Sequence, residues 1–313
     1  MVAASLVGPR SVTELGIVVG LRDVGISITR LVAYGGQGTL YEAAAVSTGE
    51  KVAVKVLHKV SPSDHRRSAS QREKVLREVR MMHRAHVVSP QLFEDDKCFY
   101  IVSEFLRGVD LHTLHLHRSF TENEILLMGR QIMQQLAHLH SPNVGIAHRD
   151  IKPENIMVKN MRTLELQLID FGLSECVLES PDGLVCTFPG TLQYKSPELV
   201  SATSAVDPLP SDIWAAGCVL YKIVCGGFPF SGARGEELTK HGIIKRSPSM
   251  DGAVWKQVSM ETRGLIRRLL SKNPRERPSA RTAMLLIDQI LASRELPPVH
   301  GYELVPVLPA IRF

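Results

Sequence analysis

Hydrophobic and polar positions divide the chain into a strand-rich first third and a helix-rich remainder. Alternating and β-branched apolar runs predict strands at 28–46, 51–57 and 97–105. One helix, predicted over 70–84 from apolar residues at helical spacing, lies between the last two of these strands. The pattern therefore predicts a small β-rich unit with one main helix at the start of the chain.

After Leu106 the apolar spacing becomes that of helices. Residues 121–140 begin with a threonine followed three residues later by a glutamate, which is a capping box, and their apolar residues fall on one face. The segment 211–226 is apolar nearly all round and predicts a buried helix, and two amphipathic helices are predicted at 260–271 and 279–291. A mixed α+β protein with a larger helical unit is expected.

Composition narrows the class of protein. The chain has 313 residues, and its 44% hydrophobic and 22% charged content is that of a globular protein. Its net charge of +5 suits phosphate-bearing ligands, but the low aromatic content and the lack of a long basic run argue against nucleic-acid binding. No apolar run approaches about 18 residues, so we expect no membrane span. The amino terminus has no basic n-region and its apolar stretch is broken by Pro9, Arg10 and Glu14, so we expect no signal peptide. Five cysteines without a CxxC pair favour a reducing compartment, cytoplasmic or nuclear.

Two features of the first third could contact phosphate. The glycine-rich run 33–41 would let backbone N–H groups approach phosphate oxygens, although a tight hairpin accounts for it equally well. Lys55 lies in an alternating strand, where an inward-facing lysine needs an anionic partner, and Glu78 on the predicted helix is the natural candidate. A solvated lysine on an edge strand is the simpler alternative.

Charged and amide side chains crowd the run HRDIKPEN, residues 148–155, between apolar flanks. Asp150 and Asn155 could serve as a proton-accepting carboxylate and a neutral oxygen ligand for a hard cation. Asp170 ends an apolar run at a glycine and could hold Mg²⁺, which prefers oxygen ligands. Each residue alone is also explained as a turn or cap residue, but their order along the chain favours chemistry.

Seven ordered motifs resemble the signature of eukaryotic protein kinases of the serine/threonine type. They are AYGGQGTLY (33–41), VAVK (52–55) with Glu78 as partner, HRDIKPEN, DFG (170–172), SPE (196–198), SDIWAAGCVLY (211–221) and NPRERPSA (273–280). The resemblance implies a bilobal kinase fold, with a small β-rich N-lobe containing one main helix and a larger α-helical C-lobe. The implied segments are an N-terminal extension 1–26, an N-lobe 27–105, a C-lobe 106–292 and an irregular tail 293–313.

The resemblance implies transfer of the γ-phosphoryl group of ATP, with Mg²⁺, to serine or threonine hydroxyls of protein substrates. Asp150 would accept the hydroxyl proton, Lys152 would neutralise the γ-phosphate, and Asn155 and Asp170 would bind Mg²⁺. The residues implied to contact ATP are Val32, Ala33, Gly35, Gly36, Gly38, Leu40, Ala53, Lys55 (paired with Glu78), Ser103, Glu104, Leu106, Asp110, Met157 and Asp170.

The same resemblance bears on substrates. Asp110 and Glu154 match acidic positions that bind basic residues upstream of the target hydroxyl, whereas Lys222 replaces a further acidic position. The later motifs look most like the calcium/calmodulin-dependent branch, although the sequence has no EF-hand loop. Arg277 is expected to pair with Glu198.

Regulation and two alternatives complete the interpretation. Thr187 stands where an upstream kinase phosphorylates many relatives, and Arg149 could pair with that phosphate, but Glu175 would repel it. Ala33 replaces the first loop glycine, which keeps open a pseudokinase scaffold that binds nucleotide or partners without efficient catalysis. A small-molecule phosphotransferase of kinase-like fold is disfavoured by the peptide-docking segment GTLQYKSPE (190–198).

Overall fold

A computed structural model describes residues 21, 24–35, 38–60, 65–86, 89–180, 182–230 and 235–294. Gly36, most of the predicted extension 1–26 and most of the predicted tail 293–313 lie outside the described residues. The chain divides into two compact units, with the boundary between Leu106 and Arg107.

The N-terminal unit contains a five-stranded antiparallel sheet in the order β1–β2–β3–β5–β4, together with helix α1. Its elements are β1 (Ile26–Gly35), β2 (Gly38–Ala45), β3 (Lys51–His58), α1 (His65–Ala85), β4 (Gln91–Glu94) and β5 (Cys98–Glu104). The predicted run 28–46 is therefore two strands of one hairpin, and the helix predicted to start at residue 70 begins at His65. Periodicity found both elements, but it did not locate the turn or the first helical turn.

Glycine is required where the β1–β2 hairpin turns back. Gly38 has a φ of +130°, and a Cβ at this position would lie 2.7 Å from the carbonyl oxygen of Val56 on β3. No other residue fits both the dihedral angle and the close backbone approach. Pairing of β2 with β3 then starts at once, with Thr39 opposite Val56.

Different apolar clusters cover the two faces of this sheet. Helix α1 packs on one face, where Val75 and Val79 contact Phe99 and Ile101. The other face carries Leu21, Ile26, Tyr41, Ala43, Val54, Val56, Cys98, Tyr100 and Val102. Burial on both faces explains why β5 is apolar from Cys98 to Val102.

The C-terminal unit is mainly helical. Its helices are α2 (Leu111–His117), α3 (Glu122–Leu139), α4 (Pro197–Val200), α5 (Leu209–Cys225), α6 (Glu236–Lys245), α7 (Ala253–Lys256), α8 (Met260–Leu269) and α9 (Ala280–Ala292). Its short strands β6 (Val109–Asp110), β8 (Ile156–Asn160) and β9 (Glu165–Leu168) form one sheet, while β7 (Ile146–Ala147) pairs with β10 (Glu175–Cys176). The two units together confirm the predicted α+β class with a β-rich N-terminal part and a helical C-terminal part.

Two helix predictions are confirmed in detail. The side chain of Thr121 accepts a hydrogen bond from the N–H of Glu124, whose carboxylate accepts one from the Thr121 N–H, so α3 begins with a complete capping box. Helix α5 is buried on all sides and packs against α3 and α8. None of the helices in the described ranges combines the length and apolar content needed to cross a bilayer.

Candidate active site

The N-terminal unit places a lysine–glutamate ion pair beneath its sheet. Lys55 Nζ donates to Glu78 Oε1 across 2.6 Å, and the two side chains are 20% and 9% exposed. The lysine is on β3 and the glutamate on α1, so packing of the helix on the sheet sets the pair. The predicted pairing is confirmed, and the simple edge-strand alternative for Lys55 is wrong, because β3 lies between β2 and β5.

Strand register gathers further predicted residues around Lys55. Leu40 on β2 lies directly opposite Lys55, and Ala33 on β1 lies opposite Leu40. Ala53 lies two residues before Lys55 on β3, so both side chains point to the same face of the sheet. Ser103 on β5 lies directly opposite Ala53. These five residues form two neighbouring cross-strand rows on the face of the sheet where Lys55 meets Glu78 of α1. Three other residues predicted to contact ATP lie outside this group. Val32 is exposed at an irregularity of β1, and Gly35 is the last residue of that strand. Glu104 is exposed at the end of β5.

In the C-terminal unit, the Asp150 carboxylate is held by its own loop. Its Oδ2 accepts hydrogen bonds from Lys152 Nζ at 2.7 Å and from Asn155 Nδ2 at 2.8 Å. The residue is 7% exposed, and its Oδ1 accepts no hydrogen bond from any described residue. One oxygen is therefore fixed while the other is available to a proton donor.

Asp212 holds the backbone in front of Asp150. This carboxylate is 1% exposed and accepts from the N–H groups of His148 and Arg149, both at 2.8 Å, and from His140 Nε2 at 2.9 Å. Burial pushes the pKa of Asp212 upward, but the hydrogen bonds and charge of its partners outweigh burial and hold it below the usual value. Arg149 has a φ of +68°, a strained angle for this residue type, so Asp212 secures a conformation that the chain would otherwise leave.

Backbone contacts bring Asp170 beside Asn155. The N–H of Ile169 donates to the carbonyl of Asn155 at 3.0 Å, and the carbonyl of Ile169 accepts from His148 Nε2 at 3.1 Å. Because a carbonyl only accepts, His148 carries its proton on Nε2, and burial lowers the pKa of this ring despite nearby carboxylates. Asp170 itself has a φ of +64°.

The donor set at this point fits a hard divalent cation. Both N–H bonds of the Asn155 amide are used on Asp150, on its carbonyl oxygen at 2.9 Å and its Oδ2 at 2.8 Å. The Asn155 amide oxygen is therefore turned away from these contacts, and Asp170 directly follows Ile169, whose N–H donates to the Asn155 carbonyl. A neutral oxygen with a carboxylate is the kind of partial ligand set that Mg²⁺ uses when phosphates and water complete its shell.

Arg149 joins the loop to the segment that contains Thr187. Its Nη1 pairs with Glu175 at 2.9 Å, and its Nη2 donates to the Thr187 carbonyl at 2.7 Å and hydroxyl at 3.0 Å. The predicted neighbourhood of Arg149, Glu175 and Thr187 is present. Glu175 contacts the guanidinium directly, so it would compete with a phosphate for it.

The acidic residues predicted to bind substrate have different surroundings. Asp110 caps α2, with one oxygen accepting from the Thr113 N–H at 2.8 Å and the other from its hydroxyl at 2.7 Å. Glu154 is 43% exposed and lies 3.8 Å from His112 Nδ1. Asp110 also pairs with Met157 across β6 and β8, which places these two predicted ATP contacts together. Leu106 ends the N-terminal unit.

The predicted pair of Arg277 and Glu198 is confirmed. The guanidinium donates to both carboxylate oxygens, at 2.6 and 2.7 Å, and the arginine side chain is fully buried. Burial raises the pKa of Glu198, but the bonds from Arg277 lower it further, so the net value lies below the ordinary one. The pair anchors the end of the segment that contains Thr187.

Sequence reasoning missed Asp212, because only the structure shows that it supports a loop more than 60 positions earlier. A signal was present, since an aspartate within a helix that is apolar on all sides needs buried donors. The structure thus assembles two sets of predicted residues. One surrounds Lys55 in the N-terminal unit, and the other surrounds Asp150 in the C-terminal unit.

Comparison with known proteins agrees with this geometry. The family profile for the protein kinase domain matches residues 27–286. Serine/threonine-protein kinase PLK4 of Drosophila grimshawi is 33% identical over 255 residues, which are 80% of this chain and 32% of that protein. CDPK-related kinase 1 of Arabidopsis thaliana is 34% identical over 244 residues, 75% of this chain and 40% of that protein. A CDPK-related protein kinase of Daucus carota is 33% identical, with 75% and 38% covered.

The chain spans about a third to two fifths of the length of these curated relatives. Relatives of both names match to the same degree, so placement in the calcium/calmodulin-dependent branch stays a prediction. The profile covers most of the chain, and it covers every motif that carried the resemblance. The chain therefore belongs to the protein kinase family.

Proposed function

We propose that this chain transfers the γ-phosphoryl group of Mg·ATP to serine or threonine hydroxyls of protein substrates. The observation that supports this most strongly is the state of Asp150. One of its oxygens is fixed by Lys152 and Asn155, while the other accepts nothing from the described residues. A carboxylate held in this way can orient an incoming hydroxyl and accept its proton.

Each supporting residue has a separate task in the proposed reaction. The hydroxyl oxygen attacks the γ-phosphorus, its proton goes to Asp150 Oδ1, and ADP leaves. Lys152 balances negative charge on the transferred group, and Lys55, oriented by Glu78, binds phosphate oxygens of the nucleotide. Asn155 and Asp170 would hold Mg²⁺, which withdraws charge from the phosphate oxygens when bound. The protein supplies position and charge, with no covalent step of its own.

Preference for basic residues upstream of the target belongs to the same proposal. Glu154 supports it, because its carboxylate is 43% exposed and lies 3.8 Å from His112 Nδ1, with no lysine or arginine in contact among the described residues. Asp110 supports it less, since both of its oxygens cap α2. We further propose the predicted domain limits, with the N-lobe at 27–105 and the C-lobe at 106–292, and the predicted cytoplasmic or nuclear location.

Phosphorylation of Thr187 by an upstream kinase is also part of the proposal. A phosphate there would lie next to Arg149, which already contacts the Thr187 hydroxyl at 3.0 Å. Glu175 shares the same guanidinium, so the expected gain in rate is small. The rate of the purified chain before and after phosphatase treatment measures this gain, and a loss greater than about tenfold would contradict the small effect.

Phosphate transfer from labelled Mg·ATP to serine, threonine and tyrosine peptide libraries tests the proposal. Wild type should label serine and threonine peptides but not tyrosine peptides, with basic residues enriched upstream. Asp150→Asn should lose transfer, whereas Asp251→Asn should keep it, because Asp251 is an exposed residue that accepts only a surface serine hydroxyl.

Two outcomes would overturn the proposal. Nucleotide binding without transfer to any library would favour the scaffold alternative. Transfer to small-molecule hydroxyls with none to peptides would favour the phosphotransferase alternative.

A further inference from the structure

A buried lysine without an acidic partner lies in the C-terminal unit. Lys222 is on α5 and is 9% exposed. Its ammonium lies 4.0 Å from the centroid of the Phe228 ring. Among the residues that the structure describes, no carboxylate pairs with this ammonium and no acceptor hydrogen-bonds it. A ring face attracts a cation without pairing its charge, so the ammonium, whose nitrogen is not fully enclosed, remains open to an anionic partner.

A second polar group without a partner contacts the same aromatic ring. Tyr194 packs edge-on against Phe228, with ring centroids 5.5 Å apart. This tyrosine is 7% exposed, and its hydroxyl is buried with no hydrogen-bond partner in the described part of the chain. Buried hydroxyls nearly always have a hydrogen-bond partner, so the Tyr194 hydroxyl, on the same ring as the Lys222 ammonium, is open to an acceptor on a ligand.

The pair lies next to the proposed catalytic residue. Tyr194 and Asp150 line the same cavity, together with Thr191 and Lys195. The pKa of Tyr194 is raised by burial first, and then by the carboxylates of Glu154 and Asp150, among others. A group that approaches Asp150 with its hydroxyl would therefore bring its neighbouring residues close to Tyr194 and Lys222.

We propose that Lys222 and Tyr194 bind an anionic side chain of the protein substrate, a carboxylate or a phosphate, close to the hydroxyl that is phosphorylated. The ammonium would pair with the anion, and the tyrosine hydroxyl would donate a hydrogen bond to it. Glu154 would accept a basic side chain from a different position of the substrate. The substrate segment would thus carry opposite charges at two positions. This inference rests on the proposed function.

Matched peptides test the inference. A serine peptide with one arginine upstream is varied at each other position near the serine, with aspartate, phosphoserine or asparagine. For each protein variant the rate with the acidic peptide is divided by the rate with the asparagine peptide. A ratio taken within one variant does not depend on the folded fraction. The aspartate and phosphoserine series distinguish a carboxylate from a phosphate ligand.

Wild type should prefer an anion at one position by about tenfold, the lower end of the coupling between close charges at an interface. Lys222→Gln should bring the ratio near one, and Lys222→Glu should bring it below one, because the new carboxylate repels the anionic side chain. The control Lys256→Glu changes an exposed lysine on α7 and should keep the wild-type ratio.

A wild-type ratio near one at every position would overturn the inference, as would a preference that survives Lys222→Gln. Equilibrium binding of the same peptides to the full chain, measured by fluorescence anisotropy, gives the ratio without catalysis. If wild type transfers no phosphate, the proposed function fails. The binding ratio then still decides whether Lys222 and Tyr194 select an anion.

Discussion

Replacing Asp212 by asparagine exchanges one oxygen for an amide nitrogen inside a buried cluster of donors. Oδ2 accepts from His140 and from the His148 N–H, and Oδ1 accepts from the Arg149 N–H. All three partners donate, and an asparagine has only one acceptor atom. In its better orientation the new amide keeps the two bonds at the Oδ2 position and points its NH₂ group at the Arg149 N–H.

The loss of folding stability follows from the hydrogen bond that is lost at the Arg149 N–H. One charge-assisted hydrogen bond disappears, and a buried N–H is left without a partner, which together destabilise the fold by about 3–5 kcal/mol. That is a large share of the roughly 5–15 kcal/mol that holds a typical domain folded. Arg149 also gains freedom to leave its φ of +68°, since the bond that opposed relaxation is gone.

The rate of phosphoryl transfer should fall as well, because Asp150 directly follows Arg149 in the chain. A displacement of about 1 Å in the proton-accepting carboxylate can lower the rate about a hundredfold. We therefore expect kcat of Asp212→Asn to fall about a hundredfold under conditions where the variant is folded. The KM for ATP should change little, since Asp212 is not among the residues proposed to contact the nucleotide.

Urea unfolding and steady-state kinetics of the same preparation measure both effects. Asp288→Asn is the matched control, because both oxygens of Asp288 also accept hydrogen bonds, from the Arg130 guanidinium, but this side chain is 39% exposed. The control substitution should lower the free energy of unfolding by less than about 1 kcal/mol and leave kcat unchanged. An Asp212→Asn protein within about 0.5 kcal/mol of wild type, with normal kcat, would refute the reasoning about the loop.

Three further predictions concern stability and are measured by urea unfolding. Glu198→Gln leaves the buried Arg277 charge poorly paired and should cost about 3 kcal/mol at pH 7. Because the pKa of Glu198 is lowered in the folded protein, the stability difference between wild type and Glu198→Gln should be fully present above pH 4.5. It should vanish as the pH falls through the folded pKa. A difference that does not change with pH would contradict the ion pair. Gly108→Ala should lower the free energy of unfolding by at least about 2 kcal/mol, because the φ of Gly108 is +134° and a Cβ would lie 2.0 Å from the Val158 carbonyl oxygen. An unchanged urea midpoint would refute this. Thr121→Val removes the α3 cap and should cost about 1 kcal/mol, whereas a stabilised variant would disprove a capping role.

Local rules predicted those parts of the structure in which neighbouring positions act together. Alternation in β3 predicted an inward lysine, and the helical repeat of α1 offered Glu78 as its partner at the observed 2.6 Å. The capping box of α3 could be found because its two residues lie three apart. The ordered motifs gave the fold class for the same reason, since each motif is a short segment.

Contacts between distant segments could not be predicted in this way. Nothing in the local pattern showed that Asp212 on α5 hydrogen-bonds the backbone beside Asp150. Asp110 was predicted to be a binding residue, but the structure shows that both of its oxygens cap a helix. Competition between a local hydrogen bond and a ligand contact depends on geometry that the sequence alone does not give.

The central claim is that Asp150 acts in the transfer step itself. The most direct test compares Asp150→Asn with wild type for single-turnover phosphate transfer and for Mg·ATP affinity, with Asp251→Asn as control. We predict that transfer falls about a thousandfold in Asp150→Asn, because its proton acceptor is lost, while the Kd for Mg·ATP stays within about threefold. Transfer retained within about tenfold of wild type, or a loss explained entirely by weaker nucleotide binding, would contradict the assigned role.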